Sequence, residues 1–148
     1  MIVTYSPIGT IRSPFYDIKN MPIQPSGASG IRGSIEIFSE FIEGMKDLQD
    51  FSHLILLYHF HKVKDYKLIV TPFLDSSDHG IFSTRAPKRP NPIGLSIVKL
   101  LEITGNAIQI ENVDILNGTP ILDIKPYVPE FDEQNSVRTG WLAQANGK

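Results

Sequence analysis

The fold is indicated most clearly by residues 93–113, which read IGLSIVKLLEITGNAIQIENV. Two apolar runs rich in Ile, Val and Leu, at 93–101 and 107–113, have the length and composition of β-strands. They are separated by the tripeptide TGN at 104–106, and glycine and asparagine tolerate the positive φ angles of tight turns. The stretch therefore predicts two antiparallel strands joined by a hairpin.

Short strands of the same kind recur along the whole chain. Eleven prolines and eleven glycines divide the sequence, and most apolar runs between them have the length of a strand. A second hairpin is predicted at Asn117-Gly118, where the two turn-forming residues lie between strand candidates. Strands at this spacing without long helices between them predict a mainly β protein, a single antiparallel β-barrel. The other predicted strands are Ile8–Arg12, Gly33–Phe38, His53–Phe60, Lys67–Thr71 and Ile121–Ile124.

One short helix is expected beside the barrel. After Ser39, which can act as an N-cap, Phe41, Met45 and Leu48 recur at the i, i+4, i+7 spacing of a helix face. The run LILLY at 54–58 has a different pattern, because it is apolar at every position. That run predicts a strand covered on both sides.

Size and composition are those of one ordinary globular domain: 148 residues, 41% hydrophobic, 20% charged, with a net charge of −2. We expect the barrel to occupy residues 1–128, and residues 129–148 to form a tail that packs on the barrel or on a second subunit. The absence of cysteine excludes disulfides and thiol nucleophiles and suits a cytoplasmic location. No apolar run is long enough for a membrane span, so we expect no membrane partner.

A stiff cationic loop precedes the strand at 93–101. Residues 80–94 read GIFSTRAPKRPNPIG, and their three prolines restrict the backbone. Such a loop suits a phosphate or carboxylate ligand, because guanidinium groups bind these anions with two parallel hydrogen bonds. The alternative is a solvated turn that the prolines merely shape. The charged residues between Asp78 and Glu102 are all cations: Arg85, Lys88, Arg89 and Lys99.

Acids and histidines elsewhere allow two further interpretations. Asp114 and Asp123 flank the predicted second hairpin, either as functional carboxylates or as ordinary turn and strand-end residues. His59 and His61 lie on one face of a predicted strand, Asp65 follows shortly after, and together they would supply half of a metal site. They are equally compatible with core or pocket-lining positions, and we expect no metal.

Five motifs follow one another along the chain: IGTIRSP at 8–14, FSH at 51–53, TR at 84–85, RPNPIG at 89–94 and DIKPY at 123–127. In this order they resemble the TrmO/TsaA-like family, and the resemblance covers nearly the whole chain. Members of that family are S-adenosyl-L-methionine (AdoMet)-dependent tRNA methyltransferases built on a β-barrel. The resemblance implies a homodimer with AdoMet near the subunit interface and N6-methylation of threonylcarbamoyladenosine beside the tRNA anticodon.

Carried over by position, the resemblance also implies a set of cofactor contacts. Among them Asp114, Leu95 and Arg85 have the chemical types that suit the sulfonium, the adenine ring and the carboxylate of AdoMet. The full implied set is Pro22, Ile23, Gln24, His61, Lys62, Arg85, Leu95, Asp114, Ile115, Leu116 and Asn117.

The methyl transfer that the resemblance implies requires residues that bind the RNA and a group that accepts the proton of the target nitrogen. Lys88, Arg89 and Lys125 are the predicted contacts to the RNA backbone. Asp123 and Tyr127 are candidates for the group that accepts the proton of the target nitrogen. Two alternatives stay open: a barrel that binds nucleotide or RNA without catalysis, and a metal-dependent barrel enzyme that uses His59 and His61.

Overall fold

The structure of the protein is a computed structural model that describes residues 1–21, 25–73 and 75–145. The strands are β1 (Gly9–Arg12), β2 (Arg32–Ile37), β3 (His53–His59), β4 (Ile69–Val70), β5 (His79–Gly80), β6 (Ile93–Thr104), β7 (Ala107–Glu111) and β8 (Pro120–Pro126). Two four-residue helices follow, α1 (Pro129–Asp132) and α2 (Leu142–Ala145). The 3-10 helices are Ile18–Asn20, Pro25–Ala28, Ser39–Met45, Leu48–Asp50 and Ile81–Ser83.

The predicted antiparallel barrel is confirmed. Its strands close in the order β1-β2-β7-β6-β3-β8, and each neighbouring pair is antiparallel. The hairpin at 104–106 is also confirmed, since Thr104 pairs with Ala107 and Gly105 has a φ of 61°. A positive φ at this position favours glycine, as the turn residues predicted.

The barrel interior is filled by alternate residues of each strand. In β3, Leu54, Leu56 and Tyr58 are buried, whereas Ile55 and Leu57 point outward and are half-buried. The expected covering of both faces is therefore incomplete within one chain. The apolar residues on the outer face of β3 adjoin an exposed apolar part of β6.

The predicted hairpin at Asn117-Gly118 is wrong. β7 pairs with β2 and β6, and β8 pairs with β1 and β3, so these two strands are not neighbours. The turn exists, with a φ of 84° at Gly118. Its backbone N–H groups, however, form hydrogen bonds with the last part of β1 and the residues that follow it. The Asn117 N–H donates to Phe15 O at 2.7 Å, and the Gly118 N–H donates to Ile11 O at 2.8 Å. These tertiary hydrogen bonds turn the segment across the end of the barrel.

The helix expected after Ser39 exists, but it is a 3-10 helix and not an α-helix. Ser39 is its first residue, and the N-cap is Phe38, with no side-chain cap bond. Met45 is buried while Phe41 is 41% exposed, so only part of the expected apolar face is buried. The expectation of a single helix is also wrong, since short helical turns occur between several strands.

The chain divides into two compact units. The first, Met1–His61 with Ile93–Tyr127, is the barrel; the second is Lys62–Pro92 with Val128–Lys148. In the second unit β4 pairs with β5, and the Trp141 indole donates to Ser83 O at 2.8 Å and stacks on His79 at 4.7 Å. The described helices include none with the length and apolar character of a membrane span.

Candidate cofactor and active site

The antiparallel order of the barrel brings several predicted site residues to one end. At this end β3 finishes with His59, which pairs with Ile93 at the start of β6, and β8 begins at Pro120. His61 follows β3, Leu95 lies in the first part of β6, and residues 114–117 precede β8. We call this the 114 end of the barrel.

Asp114 is held at the 114 end by the buried hydroxyl of Ser96, which is itself bonded to the buried hydroxyl of Tyr58. Its Oδ1 accepts a hydrogen bond of 2.6 Å from Ser96 Oγ, which lies 2.8 Å from Tyr58 Oη. Ser96 and Tyr58 are 6% and 5% exposed, whereas Asp114 is half-buried. Among the residues that the structure describes, Asp114 Oδ2 has no hydrogen-bond partner. The carboxylate is therefore fixed on one side and available to a ligand on the other.

The segment after Asp114 is pinned to the end of β1. Ser13 Oγ donates to Ile115 O at 2.6 Å, and the Ser13 N–H donates to Asn117 Oδ1 at 3.0 Å. Thr119 Oγ1 donates to Leu116 O at 2.6 Å. The side chains of Ile115 and Leu116 are buried, so a ligand at this segment meets their backbone and not their side chains. The rigidity of the segment reduces the entropy cost of binding.

Gly94 permits the close packing that places the Tyr58 hydroxyl. The two residues pair across β6 and β3, and a Cβ at position 94 would lie 2.3 Å from Tyr58 Cε2 and 2.7 Å from Phe60 Cζ. The Tyr58 and Phe60 rings meet edge to face, with their centroids 5.5 Å apart. A side chain at position 94 would displace these rings. This gives a physical reason for glycine at the end of the RPNPIG motif.

His61 and Leu95 complete the predicted set at the 114 end. His61 is half-buried, with its Nδ1 3.4 Å from Thr119 Oγ1. Leu95 lies beside Ser96, but its side chain points to the outer face of the barrel and is 45% exposed. Leu95 therefore belongs to an exposed apolar surface, the β6 strip, whose members are Ile93, Leu95, Ile97 and Leu101. Ile55 and Leu57 of β3 lie next to this strip in register.

The cationic loop lies in the second unit and is braced from within. Arg89 Nη1 donates to Thr84 O at 2.8 Å and to Ala86 O at 3.1 Å. Thr84 is buried and its Oγ1 donates to Ile81 O at 2.9 Å. Arg85, between these braces, is exposed, and no carboxylate among the described residues pairs with it. The loop thus presents Arg85 and Lys88 to solvent and uses Arg89 for its own shape.

Lys62 and Lys88 also belong to the second unit and are exposed. Lys88 Nζ lies 3.9 Å from Asp65 Oδ1, a long contact between two solvent-exposed groups. Such pairs contribute little to stability and are readily exchanged for other partners. Pro22, Ile23 and Gln24 lie outside the described residues.

The structure does not bring Asp123 and Tyr127 to Asp114 within one chain. Asp123 lies on the outer face of β8; its Oδ2 pairs with Lys125 Nζ at 2.9 Å, and it lines a groove of about 510 Å³ beside helix Ser39–Met45. Tyr127 follows β8 at the opposite end of the barrel, where its N–H donates to His53 O at 3.0 Å.

Histidine contacts in the described residues are not those of a metal centre. Among residues 1–21, 25–73 and 75–145, no three His, Asp or Glu side chains are grouped closely enough to bind a metal ion. His59 ends β3, and His61 lies beyond the strand. In the second unit, His79 Nε2 lies 2.6 Å from Asp75 Oδ2, and this hydrogen bond lowers the pKa of Asp75 below its ordinary value.

Tyr58 and Ser96 were not among the predicted site residues. The signal for Ser96 is its place in the strand alternation, because Val98 and Leu100, its inward-facing neighbours, are apolar. A polar residue at an inward position requires a hydrogen-bond partner. The sequence does not reveal that the partner is Asp114, since the two residues meet through tertiary structure.

Comparison with known proteins gives consistent matches. A family model described as the tRNA-methyltransferase O N-terminal domain matches residues 10–133. A Pyrococcus abyssi protein named "probable S-adenosyl-L-methionine-binding protein" is 56% identical over 142 residues, which cover 96% of this chain and 77% of that protein. The human "tRNA (adenine(37)-N6)-methyltransferase" is 38% identical over 138 residues, covering 88% of this chain and 31% of the human protein.

The crystal structure of TrmO from Pseudomonas aeruginosa superimposes with a TM-score of 0.80 at 39% identity. The match covers 95% of this chain and 62% of the TrmO chain. The chain therefore spans less than two thirds of the solved TrmO structure and about a third of the human relative.

Proposed function

The chain belongs to the tRNA-methyltransferase O (TrmO/TsaA-like) family, and we propose that it is an AdoMet-dependent methyltransferase acting on the N6 of threonylcarbamoyladenosine beside the tRNA anticodon. The observation that carries the proposal is the carboxylate of Asp114, held by Ser96 at 2.6 Å with its second oxygen available. It lies at the same end of the barrel as His61 and Leu95, two other positions that the family resemblance implies.

The described residues fit the chemistry of AdoMet. When bound, AdoMet supplies a methyl group on a positively charged sulfur. A half-buried carboxylate such as Asp114 suits a cation or ribose hydroxyls, and the apolar Leu95 suits an aromatic ring. Arg85 is an exposed guanidinium without a carboxylate partner among the described residues, which is the group needed for an amino-acid carboxylate.

The chain's own contribution to methyl transfer is positioning. In-line displacement is accelerated chiefly by holding the two reactants in near-attack geometry. Asp114 is fixed by a hydrogen bond, and the segment after it is fixed by Ser13 and Thr119. A rigid 114 end supports this role, because little reorganisation is left to occur when the ligand binds.

Two copies of the chain are proposed to pair through the β6 strip. Ile93, Leu95 and Ile97 are 42–46% exposed and adjoin Ile55 and Leu57, so they form one apolar patch on the outer wall; the exposed Lys99 lies between this patch and Leu101. Surfaces of this kind mark association sites. Because Leu95 belongs both to the strip and to the implied cofactor contacts, pairing would place the cofactor near the subunit interface. Light scattering should report a dimer for the wild type, a monomer for Ile97→Asp, and a dimer for Gln109→Asp on the neighbouring strand.

tRNA is the proposed substrate and partner, and a cytoplasmic location is proposed with it. Lys88 and Lys125 are exposed cations that suit contacts to phosphates. Arg89 uses one guanidinium nitrogen to brace its own loop, so its contribution to RNA binding is partly indirect.

Mass spectrometry of nucleosides tests the function directly. tRNA carrying threonylcarbamoyladenosine is incubated with the protein and AdoMet, digested, and compared with a sample that lacks protein. We expect this nucleoside to gain one methyl group, and Arg85→Ala to weaken AdoMet binding by about ten- to a hundredfold in calorimetry, the loss of one or two charge-assisted hydrogen bonds.

The same assays separate the alternatives. AdoMet binding without methyl transfer to any tRNA would favour a non-catalytic binding barrel. A stoichiometric metal in the purified protein, together with loss of activity in His59→Ala, would favour a metal-dependent enzyme. An unchanged AdoMet affinity in Arg85→Ala would remove Arg85 from the cofactor contacts.

A further inference from the structure

We propose that Tyr58 and Ser96 are positioning residues for the cofactor site, because this buried pair fixes which oxygen of Asp114 faces the ligand. The inference rests on the proposed function and deepens it. It concerns side chains that are nearly inaccessible to solvent, so they would act on AdoMet only through Asp114.

The direction of each hydrogen bond follows from the chemistry of its end group. An ionised carboxylate has no proton to give, so Ser96 Oγ must donate to Asp114 Oδ1 across the 2.6 Å contact. The Ser96 hydroxyl has only one proton, and the hydrogen bond to Asp114 takes it up. Tyr58 Oη must then donate to Ser96 Oγ across the 2.8 Å contact. Two hydrogen bonds that run in the same direction therefore link Tyr58 to Ser96 and Ser96 to Asp114.

The residues around these two hydrogen bonds leave room for the hydroxyl groups that form them. Ser96 occupies an inward position of β6 where the later inward residues, Val98 and Leu100, are apolar. Gly94 leaves room for the Tyr58 ring, since a Cβ there would come within 2.6 Å of Tyr58 Cζ, the atom that bears the hydroxyl. An apolar side chain at position 96 would fill the interior without requiring any partner.

The consequence for Asp114 is a fixed orientation. With Oδ1 engaged by Ser96, the carboxylate presents Oδ2 to a ligand in one direction. Without the Ser96 hydroxyl the side chain can adopt other rotamers, and selecting one of them on binding costs affinity. The loss falls on AdoMet affinity and leaves contacts to tRNA phosphates unchanged.

Substitutions at position 96 separate the hydroxyl from the size of the side chain. Ser96→Thr retains the hydroxyl donor, whereas Ser96→Val introduces a side chain of the same shape as threonine without the hydroxyl. The two variants therefore differ only in the hydrogen bond to Asp114. We expect Ser96→Thr to bind AdoMet within about threefold of the wild type and Ser96→Val to bind about tenfold more weakly, the effect of about 1.4 kcal/mol. The KM for AdoMet should rise in Ser96→Val while the KM for tRNA stays unchanged.

Two further variants keep the inference testable if valine disturbs the barrel. Tyr58→Phe should weaken AdoMet binding by a smaller factor, about threefold, because it acts through Ser96. In a Ser96→Ala background the same Tyr58→Phe change should have no additional effect, which is the non-additivity expected of residues acting in series.

The outcomes distinguish this inference from the proposed function. If the wild type binds AdoMet and Ser96→Val and Ser96→Ala bind it equally well, the positioning role is wrong and the proposed function stands. Equal rises in the KM values for AdoMet and tRNA would indicate a general structural role and would also overturn the inference. If the wild type binds no AdoMet, both the proposed function and the positioning role are refuted.

Discussion

Replacement of Gly94 by alanine measures how closely β3 and β6 approach at the 114 end. The added Cβ would lie 2.3 Å from Tyr58 Cε2, 2.6 Å from Tyr58 Cζ and 2.7 Å from Phe60 Cζ. Carbon atoms in favourable contact are about 3.5–4.0 Å apart, so the rings or the strand must move by about 1 Å. Tyr58 cannot easily turn away, since it is 5% exposed and its hydroxyl is bonded to Ser96.

The expected cost is that of an overpacked core. Such changes destabilise proteins by about 1–3 kcal/mol, and the three short distances place Gly94→Ala near the upper half of that range, at about 2–3 kcal/mol. For a chain of this size the melting temperature should fall by about 4–12 °C, at about 2–4 °C per kcal/mol. Displacement of Tyr58 should also weaken AdoMet binding.

Thermal and denaturant unfolding of Gly94→Ala and of a matched control provide the assay. Gly44→Ala is the control, because its Cβ would have no atom within 4 Å and its backbone does not require glycine. We expect Gly44→Ala to be neutral or stabilising by about 0.4–1 kcal/mol. A Gly94→Ala protein as stable as the wild type, or equal destabilisation by both variants, would refute the packing described for Tyr58.

Three further predictions concern other contacts. Ser13→Ala removes the bond from Ser13 Oγ to Ile115 O and should lower the free energy of unfolding by about 1–3 kcal/mol and weaken AdoMet binding; an unchanged melting temperature would contradict it. The hydrogen bond from His79 lowers the pKa of Asp75 in the folded state. The ionised Asp75 therefore stabilises the fold above its unfolded pKa of roughly 3.9, and this stabilisation is lost as the pH falls further. The difference in melting temperature between the wild type and Asp75→Asn should accordingly shrink below about pH 4. Binding of tRNA should weaken as salt rises, and Lys88→Ala should reduce the slope of log K against log salt by about 1; equal slopes would remove Lys88 from the RNA contacts.

The barrel strands were predictable because local signals and tertiary pairing agree. Residues 93–113 form β6, the turn at Gly105 and β7, with boundaries close to those expected. The turn at Asn117-Gly118 shows where local signals end. Its residues do form a turn, but the partners of Gly118 and Asn117 are Ile11 and Phe15, which are distant in sequence. Strand pairing is decided by such contacts, and a turn signal alone does not contain them.

The candidate site was predictable in part for a related reason. The sequence itself singles out Asp114 as a carboxylate beside a turn, and the family resemblance implies both Asp114 and Leu95 as cofactor contacts. Tyr58 and Ser96 were missed, because each stands in an apolar strand and looks like a core position. Only the fold shows that their hydroxyl groups lead to Asp114. The spacing of apolar residues after Ser39 predicts a helix but does not decide between an α-helix and a 3-10 helix, and Phe41 on the predicted apolar face is not buried.

Calorimetric titration of AdoMet into the wild type, Asp114→Asn and Glu102→Gln is the most direct test of the account. Asp114→Asn keeps the size of the side chain but removes its charge, whereas Glu102 is an exposed carboxylate further along the same strand as Ser96. We predict measurable binding to the wild type and to Glu102→Gln, and at least about tenfold weaker binding to Asp114→Asn, the loss of a charge-assisted contact. Equal affinities for all three proteins would contradict the assignment of the cofactor to the 114 end of the barrel.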